Sequence, residues 1–194
     1  MSTFWAFLEL GFSHIADVTA YDHMVFLLAL CAGLSLQAWK KTLWMITAFT
    51  IGHSITLALA TLKIVTVNSG IVEFLIPTTI LLTACFQAFF PSLNRGGKVS
   101  RVSYGIVIFF GLIHGLGFSG YLQSLLGKEA TVFTELLSFN LGVEFGQIVI
   151  VGLILGTQFL ITRLFKLSQQ SWTLFVSGMA AGISILLMTE TKFW

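Results

Sequence analysis

Four histidines and eight acidic residues carry most of the chemistry this chain offers. The imidazoles are His14, His23, His53 and His114, and the acids are Glu9, Asp17, Asp22, Glu73, Glu129, Glu135, Glu144 and Glu190. Neutral imidazole is the commonest protein ligand for transition metals, and imidazole combined with carboxylate suits zinc, nickel, iron or manganese better than copper(I). A single histidine on an apolar helix is more often a satisfied contact between helices. Several at one depth beside acids point to a metal site. Cys31 and Cys85 lie within apolar runs, where a thiol behaves as a small hydrophobe, and no redox role is assigned to them.

Asp22 and His23 are neighbours, so their side chains diverge on a helix; one coordinates and the other supports. A metal-bound imidazole normally donates its second N–H to a carboxylate or carbonyl, a role open to Asp17 or Asp22, although Asp17 is also placed to cap the following helix. Asn140, Glu144 and Gln147 recur at i, i+4 and i+7, a polar stripe that should face the interior of an otherwise apolar helix bundle. Hydrogen bonding between helices explains the two amides equally well, and Glu144 less well. Gly111, Gly115 and Gly117 flank His114, which permits close helix approach or a kink.

The elements that must position these groups are membrane helices. Of the 194 residues 56% are hydrophobic and only 9% charged, and the mean hydropathy is +0.94, far from the balance of a water-soluble domain. Apolar runs of about 17 to 22 residues, each long enough to cross the hydrocarbon, recur along the chain. The expected fold is therefore all-α, a single transmembrane domain over residues 1–194. It is a bundle of six transmembrane helices over 21–37, 42–62, 70–90, 102–122, 136–164 and 172–188. The N-terminal stretch before them has no basic lead or cleavage site and is expected to stay as a half-helix or re-entrant segment; if it crosses, there are seven spans.

Lys40, Lys41, Arg95, Lys98, Arg101, Arg163 and Lys166 fall in alternate connections, which should be cytoplasmic, whereas Lys63, Lys128 and Lys192 fall on the other side. Both termini are then periplasmic. Pro91 and a Gly pair break the chain in PSLNRGGKVS. All the histidines and acids fall in the outer half, with His53 about 13 Å and His114 about 12 Å below the outer helix ends, and Glu144 at similar depth if its helix starts near Leu136. An ionisable group there is costly unless paired, hydrated or bound to metal, so the cluster is read as a functional site. The net charge of +2 points to no nucleic-acid partner; the partners expected are the lipid bilayer and a divalent metal, zinc or nickel.

HIADVTAYDHMVFLLAL, AFTIGHSITLALA, FFGLIHGLGFSG and FNLGVEFGQ punctuate most of the chain. In these it resembles the HupE/UreJ family of small bacterial membrane proteins associated with hydrogenase and urease loci. The resemblance implies an inner-membrane protein that binds nickel, and nickel uptake or an accessory role. It carries the family's histidine and Asp-His signature onto His14, Asp22 and His23, the later histidines onto His53 and His114, and the Glu of the fourth motif onto Glu144.

Two mechanisms follow. A transporter needs a polar route to both faces, yet the inner half offers only groups such as Ser35, Thr47, Thr83, Gln87 and Gln158. An intramembrane zinc enzyme would keep an open metal position, with Glu144 or Asp22 as general base, for hydrolysis or N-terminal cyclisation of an exported peptide or lipid substrate. The one-sided distribution predicts exchange with the outside only.

Overall fold

The computed structural model describes residues 2–90, 101–126 and 132–193. The expectations for Pro91, Arg95, Lys98, Lys128 and Glu129 lie outside the described residues. Within them every regular element is a helix: α1 Thr3–Ala16, α2 Asp22–Cys31, a 3-10 turn Leu36–Ala38, α3 Trp39–Thr61, α4 Ser69–Phe89, α5 Arg101–Gly117, α6 Ser119–Leu125, α7 Val132–Leu164 and α8 Gln169–Glu190. Four helical stretches are long and apolar enough to cross a membrane: Leu36–Thr61, α4, α7 and α8. There are five if α5 and α6, bent by 46° across their break, form one span.

The packing is inverted relative to a protein in water. Phe109, Leu153, Phe175 and Leu186 point outwards, while Thr50, Thr79, Gln87, Gln147 and Thr173 are buried. Hydrocarbon outside and hydrogen-bonded polar groups between helices is the arrangement a bilayer selects. Asn68 starts α4 by accepting from the backbone N–H groups of Gly70 and Ile71, and Ser168 does the same for α8 through Ser171 N–H at 3.0 Å. These caps satisfy donors that the first turn leaves open.

Two parallel pairs form the frame. α3 and α5 run the same way: a Cβ at Gly111 would collide with the carbonyl of Phe49, and one at Gly115, a turn further on, with the carbonyl of His53, a turn beyond Phe49. α1 runs parallel to α7 through the same device: Gly142 lies against the Leu8 carbonyl and Gly146, a turn on, near that of Phe12, while Gly11 lies against Phe139. Only a residue without a side chain allows such approach. Contacts of α3 with α7 pair Thr50 with Gln147 and His53 with Phe139, so these two helices are antiparallel. Lys40 and Lys41 at the start of α3, and Arg163 at the end of α7, therefore lie at the end of the bundle away from the histidines.

Three expectations are adjusted. A span over 21–37 is not formed, because α2 ends at Cys31, ten residues long. The carbonyls at and just beyond its end turn to side chains instead: Gln87 donates to Leu30 O (2.7 Å), Thr173 to Ala32 O (2.9 Å) and Gln158 to Leu34 O (2.6 Å). Those donors supply what the missing turn would have supplied. The 102–122 span is broken after Gly117. The helix expected from Leu136 starts at Val132, which places Glu144 twelve residues, or about 18 Å, below its first residue.

Candidate metal centre

Each histidine comes from a different helix: His14 near the end of α1, His23 in the first turn of α2, His53 in α3 and His114 in α5. The glycine contacts that draw α3 onto α5 and α1 onto α7 bring these rings together. The ring centroids of His14 and His23 are 4.6 Å apart, His14 and His53 6.0 Å, His23 and His53 6.3 Å, and His23 and His114 5.2 Å. Phenylalanines wall the rings: Phe118 lies 4.0 Å from His14, and Phe26 and Phe49 each lie 5.1 Å from His114. With His53 fully buried and His23 and His114 almost so, water has little access to their nitrogens.

Hydrogen bonding fixes which nitrogens are free. His23 Nδ1 lies 3.0 Å from Asp22 Oδ1, so Nδ1–H donates to the carboxylate and Nε2 keeps its lone pair. Thr79 Oγ1 gives its single hydrogen to the carbonyl of Ile76 at 2.7 Å and lies 2.9 Å from His114 Nε2. Thr79 thus holds Nε2 of His114 and leaves Nδ1 as the ring nitrogen without a partner. His14 Nε2, His23 Nε2, His114 Nδ1 and both nitrogens of His53 are buried without a hydrogen-bond partner. Such orphans cost about 1–3 kcal/mol apiece unless something fills the need.

One ligand atom from each of His14, His23 and His53 lies within 4.8 Å of the others. Nitrogens bound at about 2.1 Å in a tetrahedral site stand roughly 3.4 Å apart, so about an ångström of side-chain movement would close the set on an ion. The donor set, imidazoles with Asp22 behind one of them, fits a borderline divalent metal.

The HupE / UreJ protein family matches residues 1–193. The chain belongs to that family. No curated protein and no solved structure matches it. In this HupE / UreJ chain, the segments of the first three motifs carry the four imidazoles to one point, and the fourth, FNLGVEFGQ, lies along α7 beside them.

The remaining candidate residues are distributed unevenly. Asp22 is in the cluster through His23. Asp17 instead accepts from the Thr19 hydroxyl at 2.7 Å and the Thr19 backbone N–H at 2.8 Å. Asn140 Nδ2 donates to the carbonyl of Leu136 at 2.8 Å, and its Oδ1 has no partner. Glu144 accepts from Thr47 Oγ1 at 2.5 Å and Gln147 from Thr50 Oγ1 at 2.8 Å. These two brace α7 against α3 below His53, and Glu144 is not among the groups that converge with the histidines. Thr79, which orients His114, had no role in the sequence reading; its signal was the buried i, i+4, i+8 series Thr79, Thr83, Gln87 on α4. Glu135, buried with Oε2 unpartnered, was likewise given none.

Proposed function

We propose that this protein is a multi-pass membrane protein that binds one divalent transition metal through His14, His23 and His53, with His114 as a further nitrogen and Asp22 orienting His23. The observation that carries the proposal is the convergence of buried, unpartnered ring nitrogens from separate helices. Membership of the HupE / UreJ family makes nickel the favoured metal. Counting α1 with α2 as one broken crossing, and α5 with α6 as another, gives six crossings. The basic residues at the end away from the histidines then make that end cytoplasmic, with both termini and the metal on the periplasmic side.

The same reading favours capture and handling of metal over steady permeation. Gln87, Gln158 and Thr173, between the site and the basic end, are engaged with carbonyls at and just beyond the end of α2. A dication leaving the imidazoles for that region meets Glu144, already engaged by Thr47, and beyond it no carboxylate or imidazole among the described residues, so the desolvation cost there is several kcal/mol or more.

The test is elemental analysis of protein purified from nickel-supplemented cells, beside a variant with His14, His23 and His53 all changed to Ala. The expected result is about one metal per chain for the first and under a tenth of that for the second. Equal metal in both would remove the histidines from the site.

A further inference from the structure

Against the imidazoles lies a cleft of about 740 Å³ into which His14, His23 and His114 all face. A divalent ion with six waters takes up roughly 180 Å³, at about 30 Å³ per water, so the cleft is several times larger than the ion alone requires. Its walls are largely apolar, from Leu10, Phe12, Ile76 and Phe118, with Tyr121 beside them. The polar groups in its lining are the rings of His14, His23 and His114, the carboxyls of Asp17, Asp22 and Glu73, the Ser13 hydroxyl and the Tyr121 phenol. His23 Nε2 and His114 Nδ1, both on buried residues that line the cleft, have no partner in the protein. A mostly apolar cavity of several hundred Å³ with a few convergent polar groups is the form of an organic-ligand site rather than of an ion cage.

We infer that this cleft receives a small organic molecule with an apolar body and a neutral nitrogen donor, which completes the coordination of the metal held by the histidines. The inference rests on the metal-binding reading and adds the class of molecule the metal meets. The apolar walls select the body, since burying an aromatic ring there removes it from water. The three carboxyls disfavour an anionic head, which leaves an amine or imidazole type of donor as the one that reaches the metal without repulsion.

The experiment uses the full-length protein loaded with cobalt(II), whose visible absorption reports its ligands, titrated with imidazole, 4-phenylimidazole and phenylacetate. The expected order is 4-phenylimidazole at least ten-fold tighter than imidazole, and phenylacetate weakest. Ser13→Trp, which fills the cleft from a wall residue, should abolish the ten-fold gap while leaving cobalt stoichiometry and the ligand-free spectrum unchanged. Ala16→Phe, from the same wall, serves if the first variant does not fold. Equal affinity for the two imidazoles, a gap that survives both substitutions, or tightest binding by phenylacetate would overturn the inference and leave the metal reading standing. Failure to take up cobalt would defeat both.

Discussion

His23 meets the other rings with one nitrogen already spoken for, because Asp22 holds Nδ1–H and so fixes both the tautomer and the ring orientation. A carboxylate behind a ligating imidazole also raises its basicity, and removing such a group typically weakens metal binding 10–100-fold. Asp22→Asn is therefore expected to bind nickel about 10–100-fold more weakly, read by competition with a chelating dye, while retaining the fold and a stoichiometry of one. Unchanged affinity would show that Asp22 does not support a ligand. At this scale the sequence was informative about residue types: in a chain with so few ionisable groups, the four histidines could be singled out without a structure. It was less informative about their supports. Thr79 is a hydroxyl in an apolar helix, a common occurrence, and only its 2.9 Å approach to His114 reveals what it does. Glu144 was expected at a depth similar to the histidines if α7 began near Leu136. The extra turn from Val132 lowers it to the level of Thr47.

The helices bring the rings together by discarding side chains where they cross. Gly111 lies on the backbone of Phe49 and His53, one on each side of a single turn, so α5 and α3 are locked in one register and their histidines with them. Gly111→Leu would push an isobutyl group into that carbonyl and peptide nitrogen; over-packing of this kind costs about 1–3 kcal/mol. The expected outcome is a lower Tm together with loss of metal. Gly178→Leu on α8, where a Cβ meets nothing within 4 Å, should change neither. If Gly111→Leu bound metal normally, the close approach would not be what sets the site. The glycines around His114 were legible as permitting close approach; their partners were not. The length of α2 was not legible at all. Residues 21–37 read as a span, and nothing local says that Gln87, Gln158 and Thr173 from three other helices will take over the carbonyls at and just beyond the end of α2.

For the whole molecule, chemistry is concentrated towards one end. The imidazoles and the cleft lie on one side of a packed layer of Phe26, Phe49 and Ile46, and the basic residues Lys40, Lys41 and Arg163 lie beyond it. The all-helical architecture and its apolar exterior followed from composition and run length, because a bilayer permits few other solutions. A short N-terminal helix and a kink near Gly117 were legible, whereas the end of α2 at Cys31 was not, since it is set by contacts distant in sequence. This asymmetry predicts that sealed proteoliposomes containing an internal nickel-sensitive dye will bind nickel without accumulating it above protein-free controls; saturable uptake lost in His53→Ala would restore a permeation route. The account stands first on the metal being held by imidazoles from several helices at once, and X-ray absorption at the metal edge of nickel-loaded protein tests that most directly. It should show three or four nitrogen scatterers at about 2.0–2.1 Å with the outer-shell pattern of imidazole rings, reduced in His53→Ala. A first shell of water oxygens alone, or one containing sulfur, would contradict it.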